Sequence, residues 1–438
     1  MNVNKLLPRG RTEDKTEEVN RAAITLSQYA VALWIITTFA TFRRRSVNEL
    51  LISNTMDFQV IYQSTSWCLL FAFALYLRVS RRFDASLVRR GPLFWYGAFL
   101  GLATCSIFYT RTPIITMYYV MQLSTLIIMI CSLGNNLHAI HGYVTFYACI
   151  NWILLILGAL GLDLGQSWIT TAQESYERYG GSSGELWRFS TAFGHPSQLS
   201  IVCAISAVGL AARREQWKFK KLLIAMLTFT VILTLSRTAI VGMIAGFAFV
   251  LFVRRKLLSV VIVSLITVPF VLVLPAATDQ LQNLFMRGQS ASDFASLTGR
   301  SAIYDVALAR ANWSWFGEGF RSIRSNPLIG LDWGQGVLHA HNLILNAFIE
   351  LGFFGACALL MTAVSLYTCG AKLASRSRQT NSVSETRDYE TLAMTFPVAA
   401  YCILDSGFAL NADIFIVVFI MLCAQARYKL STQSDKQA

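Results

Sequence analysis

Charge is scarce in this chain. Asp, Glu, Lys and Arg make up 14% of its 438 residues, against 55% apolar ones, where a soluble domain carries about a quarter charged residues. A chain so poor in charge cannot clothe a water-facing surface of its size, which excludes an ordinary soluble enzyme. Its nine cysteines all fall inside apolar runs, in odd number and without metal-ligand spacing. That excludes a disulfide framework and a cysteine metal centre and leaves them as small packing residues. No glycine-rich loop ending in Lys and Ser or Thr occurs, and no Asp-x-Asp pair, so donors activated by ATP or a sugar nucleotide are not expected. Gly317-Glu318-Gly319 follows no strand and opens no βαβ unit, so it is not a nucleotide loop. The first 21 residues are polar, and the first apolar run, about 22–42, lacks a cleavage pattern of small residues. It reads as a retained membrane helix and not a secretory signal.

Long apolar runs are what the chain does have. They fall at about 22–42, 58–77, 92–110, 113–134, 143–161, 191–212, 222–236, 238–253, 257–277, 343–370, 391–409 and 413–426, most of them near the length that crosses a bilayer. The expected fold is therefore an all-α polytopic membrane protein of about twelve transmembrane helices. Residues 1–277 would carry an N-terminal tail and nine spans, 278–342 a large outer loop with short helices, and 343–438 three spans and a tail. With both termini inside, 25 of the 37 Lys and Arg, including every lysine, lie on the inner side, as the positive-inside rule requires. The formal charge of +13 then belongs to membrane orientation, and no nucleic-acid partner is implied. Arg43, Arg44 and Arg45 fall outside on this count and do not fit it, unless they snorkel to an interface or the first span is misdrawn.

The remaining outer charge is selective. Arg188 precedes the sixth span, and Arg237 lies in the tight turn between the seventh and eighth. Arg300 opens a helical pattern in the long loop, Arg321 and Arg324 follow, and His339 and His341 close it. A guanidinium at membrane depth costs about 2.5–3.5 kcal/mol unless paired or hydrated. Arg237 therefore either snorkels to lipid phosphates or grips a phosphate of its own with its planar fork of donors. Asp405, an acid inside an apolar run, is either half of a structural ion pair or a group that orients one of these arginines.

The stretch HAHNLILNAFIELGFFG at 339–355 resembles the signature of the bacterial O-antigen ligase and Wzy-type polysaccharide polymerase superfamily. That signature is His followed by Asn or Ser, nine residues, Gly, two residues and Gly, here His341-Asn342 with Gly352 and Gly355. SRTA at 236–239 resembles the family's Ser/Thr-Arg turn. TGRSAIYDVAL resembles its loop arginine and following helix, with GEGF at 317–320 after it. RFSTAFGHPSQLS resembles an arginine-to-His-Pro segment found in its polymerases, with Ser197 where Asn is more usual. Asp405 stands where the family often has an acid. The likeness spans about 185–410.

The resemblance implies a GT-C-like fold in the bacterial inner membrane with its active site facing the periplasm. The implied donor is a glycan on undecaprenyl pyrophosphate, and the implied acceptor is a glycan or lipid A-core hydroxyl. Membrane lipids are the other partners, and neither metal nor other cofactor is called for. The chemistry suits the residues. Fixed cations stabilise the pyrophosphate charge that grows as the leaving group departs, and an imidazole can take the acceptor's proton near neutral pH. On this reading His341 is the base, with Arg237 and Arg300 the catalytic cations. Arg188, Arg321, His339, Asn342, Asp405 and His195 would line the substrate site. Asn342 is expected to cap the helix starting near Leu343, and Gly352 and Gly355 to let a neighbouring helix approach. His138 and His141 are expected in an inner loop, outside the chemistry. The arginine-to-His-Pro segment tilts the reading toward a surface or exopolysaccharide polymerase over an O-antigen ligase. A lipid-linked glycan flippase or transporter is the alternative of another class, and would need cations deep along a path instead of gathered on one face.

Overall fold

The structure is a computed structural model of the whole chain. It describes residues 33–38, 58–80, 83–132, 140–160, 168–170, 187–191, 193, 195–213, 217–254, 300–311, 313–328, 340–380, 385–404 and 413–435. After a helical stretch at 33–38 come α1 (Phe58–Val79), α2 (Ser86–Arg89), α3 (Pro92–Cys105), a 3-10 turn (Ser106–Phe108), α4 (Pro113–Ser132) and α5 (Ile140–Ala159). Two three-residue strands, β1 (Trp168–Thr170) and β2 (Trp187–Phe189), pair antiparallel with Ile169 opposite Arg188. Then follow α6 (Pro196–Ala212), α7 (Lys220–Leu233), α8 (Arg237–Val253), α9 (Arg300–Ala311), α10 (Ser322–Ser325), α11 (Leu343–Thr380), α12 (Glu385–Leu404) and α13 (Ile414–Asp435).

Apart from that small ribbon the described residues form helices and the turns and loops that join them. Five helical segments are long and apolar enough to cross a membrane: Val60–Val79, Pro113–Ser132, Ile140–Ala159, Leu343–Ser375 and Ile414–Thr432. Pro92–Phe108, Pro196–Ala212, Arg237–Val253 and Tyr389–Leu404 are shorter apolar helices. The run expected at 257–277 lies outside the described residues, as do Arg43, Arg44 and Arg45.

Local chemistry explains these helices. Proline opens α3, α4 and α6, where its missing N–H costs nothing. Hydroxyls inside the apolar helices bond back to the preceding turn, as Thr125 does to Met121 O at 2.7 Å and Thr362 to Ala358 O at 2.8 Å. These hydroxyls then need no water, which lipid cannot supply. Small residues set the closest approaches. A Cβ on Gly242 would lie 2.7 Å from Pro397 Cα, and one on Gly246 would lie 2.7 Å from Val208. Helix α8 therefore packs intimately on α12 and α6.

These contacts orient the bundle. Helices α6, α8, α11 and α13 begin at one end, called here the His341 end, and run to the other, the Glu390 end, while α12 runs back. At the Glu390 end His141 bonds Ser206 at 2.8 Å and Glu390 at 2.5 Å. Arg213 donates to Glu390 at 2.9 Å, and the Lys429 ammonium stands 3.7 Å from the same carboxylate. His141 is thus not a loop residue. It is the second residue of α5, buried and tied to α6 and α12.

Candidate functional site

Every non-glycine residue with positive φ among the described residues lies toward the His341 end: Leu235, Trp313, Arg321 and His341. Left-handed backbone is costly for an L-residue and survives where its surroundings fix it. His341, at φ 49°, is held from several sides. Ala340 N donates to Asn346 Oδ1 at 2.7 Å, and Tyr304 donates its hydroxyl to His341 O at 3.4 Å. Asn342 Oδ1 accepts from Leu345 N at 3.0 Å, the bond of an N-cap, and Asn342 Nδ2 donates to Ile403 O at 3.2 Å. The imidazole is thereby carried, buried, at the N-terminus of α11 beside the end of α12.

Arg237 reaches the same level by a different route. Helices α7 and α8 are joined by three residues, with Leu235 at φ 49° making the reversal. Arg237 is the half-buried first residue of α8. From the Gly242–Pro397 contact, a rise of about 1.5 Å per residue puts Arg237 and Ile403 at about the same height. Because Asn342 bonds Ile403 O, Arg237 and His341 share one end of the bundle. Arg300 is the first residue of α9, one turn before Tyr304, whose hydroxyl touches the His341 carbonyl. Two arginines thus open helices at this end. A helix N-terminus favours an anion and disfavours a cation, so these positions do not serve helix stability. Arginine and helix terminus instead attract the same thing, a negatively charged group.

The other residues singled out in the sequence fall as follows. His195 is the N-cap of α6, its Nδ1 accepting from Ser197 N at 3.4 Å. It starts its helix at the His341 end, and Tyr147 seats the preceding segment by donating to Phe193 O at 2.9 Å. Arg188 belongs to β2, which leads into that segment. Arg321, at φ 68°, is buried, with its guanidinium 4.5 Å from the Tyr119 ring centre. It is packed into the protein below the loop and not spread on its surface. His339 and Asp405 lie outside the described residues.

Gly352 departs from its expected role. It is a break inside α11, with φ 67° and ψ −162°, and its close neighbour is loop backbone instead of a helix. A Cβ there would overlap Trp315 and Phe316 backbone atoms, and one on Gly317 would lie 2.5 Å from Gly352 N. Across this contact Glu318 N donates to Ile349 O at 3.0 Å, Gly319 N to Glu350 O at 2.7 Å and Phe353 N to Ser314 O at 2.9 Å. The loop thereby satisfies backbone groups that the helix break frees. The loop is fixed further by Tyr109, which donates to Phe316 O at 2.7 Å, and Thr116, which donates to Phe320 O at 2.7 Å.

Sequence reasoning passed over Asp413 at this end. It caps α13, accepting from Ile416 N at 2.8 Å, and receives Gln198 Nε2 at 3.2 Å. Burial pushes its carboxyl up to about 8, against the pull of backbone N–H groups and Gln198. Its one sequence signal was an acid directly before an apolar run, the pattern of an N-cap. An apolar groove between α3 and α11, lined by Trp95, Gly101, Cys105, Phe354 and Met361, carries no charged group and is lined by neither Arg237 nor His341.

Fold and site together define a multi-pass helical membrane protein in which two arginines open helices at the end of the bundle that carries His341. Residues 222–360 match the family model described as O-antigen ligase, which supports the O-antigen ligase and Wzy-type superfamily. The matched stretch runs from α7 through the Gly352 break and includes Arg237, Arg300, Arg321, His339, His341 and Asn342. Among curated proteins none matches the chain.

Proposed function

We propose that the protein is an inner-membrane glycosyltransferase that moves a glycan from undecaprenyl pyrophosphate to a sugar hydroxyl at the periplasmic face. The twelve-span topology, with residues 278–342 as a periplasmic loop, belongs to this reading. The observation that carries it is His341, a buried imidazole in left-handed backbone held beside the level of Arg237. The O-antigen ligase match over 222–360 supports it. In the reaction the acceptor oxygen attacks the anomeric carbon as the bond to the lipid pyrophosphate breaks, and His341 takes the acceptor proton. Arg237 and Arg300 stabilise the charge that develops on the departing pyrophosphate, with the helix N-termini adding to the same field. Arg188, Arg321, His195, His339, Asn342 and Asp405 serve as the surrounding substrate site, and no metal is required. The segment from Arg188 to His195, seated on α5, favours a surface or exopolysaccharide polymerase over a ligase acting on lipid A-core.

The test is transfer from one defined undecaprenyl-linked repeat unit, offered with and without lipid A-core. Chain growth without core is the expected result, and product only with core would make the protein a ligase. His341→Asn tolerates left-handed backbone but cannot serve as base, so it should fold normally and lose about 10²–10⁴-fold in rate. Full activity in that variant would remove His341 from the mechanism.

A further inference from the structure

We propose that Glu318 is a positioning residue that sets α9 in register against α11, and so fixes Arg300 relative to His341. This rests on the reading that those two residues act together. The Glu318 backbone is already fastened to the break in α11 through Ile349 O. Its carboxylate reaches the other way and takes Arg310 in a two-pronged contact, Nε to Oε1 at 2.8 Å and Nη2 to Oε2 at 2.6 Å. Arg310 lies in the last turn of α9, and its Nη1 also donates to Asn326 O at 2.5 Å and Pro327 O at 3.2 Å. Ten residues earlier that helix begins at Arg300.

Helix α9 is thus tethered toward both ends, by Glu318 at its C-terminus and by the Tyr304 hydroxyl on His341 O near its N-terminus. Between the tethers lies a small apolar contact that includes Ile303, Ala307, Ile323, Ala340 and Ile349. Such contacts are non-directional, and small aliphatic groups slide past one another at little cost. A forked guanidinium–carboxylate pair fixes direction as well as distance. The Glu318 side chain is 36% exposed, so the pair contributes little to overall stability. Its effect falls on geometry, where a displacement of about 1 Å can cost about a hundredfold in rate.

The experiment uses the full chain in lipid nanodiscs. Glu318→Ala should raise amide hydrogen exchange in 301–311 by at least about tenfold. It should lower kcat about tenfold or more with KM changed less than about threefold, and leave the unfolding midpoint within about 2 °C. Glu318→Gln keeps one acceptor oxygen without the charge and should fall between wild type and Glu318→Ala on both measures. If Glu318→Ala does not fold, exchange in Glu318→Gln decides the matter. Unchanged exchange in 301–311, or a fall in kcat without any change in exchange, would overturn the proposal. Were wild type to transfer no glycan, the proposed function would fall, while exchange would still report whether Glu318 tethers α9.

Discussion

The two ends of the bundle handle charge in opposite ways. At the Glu390 end one buried carboxylate is surrounded by His141, Arg213 and Lys429. Arg254 donates to the last carbonyls of α6, at 2.7 Å to Ala211 O and 3.0 Å to Arg213 O, and Lys220 bonds the same Arg213 carbonyl. Arg213 and Arg254 there cap helix C-termini, where the dipole welcomes them, although Lys220 opens α7. At the His341 end Arg237 and Arg300 sit at helix N-termini, where the dipole does not, and the left-handed residues lie toward this end. One end is built for stability. The other keeps an arrangement that its local physics disfavours, as expected where an anionic ligand completes the balance.

Three substitutions would break or sharpen that contrast. Arg237→Lys should have the largest effect on turnover. It keeps the charge but loses the fork, so transfer from lipid-linked donor should fall by about 10²-fold or more with the unfolding midpoint unchanged. Equal activity would mean that a point charge suffices. Glu390→Gln should act the other way, costing about 3 kcal/mol or more of stability because it strands buried cations. Thermal unfolding in detergent reads this, and any enzyme that remains folded should have normal KM. A selective loss of kcat with intact stability would show that the Glu390 end also serves the chemistry.

The third substitution, Asp413→Asn, is read in the pH dependence of stability and not in turnover. The Asp413 carboxyl is held up at about 8, above its ordinary value near 4. The folded state therefore binds this proton more tightly than the unfolded state does. The resulting stabilisation is full below about pH 4 and is lost as pH rises through about 8. Asn keeps an oxygen for the Ile416 N–H and carries no titrating charge. Unfolding midpoints from pH 5 to 9 should slope downward for wild type and lose that component in the variant, and identical slopes would refute the assignment.

Much of this was legible in one dimension. The runs near 58–77, 113–134, 143–161 and 413–426 each coincide with a long apolar helix, because apolar length is what a bilayer reads. The Asn342 cap followed from residue type and position alone. His141 did not, since at the edge of an apolar run nothing in the sequence shows that Glu390, some 250 residues later, will be packed against it. Gly352 was recognised as a required glycine but given the wrong partner. Spacing within a helix says that a side chain is absent, not which backbone will fill the space.

The sequence by itself determined the membrane class and the helical architecture, because composition and periodicity act through local propensity and transfer to lipid. Tertiary structure alone decided that Arg237 and His341 share a level and that the 314–320 loop seals the break in α11. It also decided that Glu390 gathers His141, Arg213 and Lys429. Such facts rest on contacts between residues far apart in the chain, and those are set by how closely one helix can approach another and by which buried polar groups must find each other.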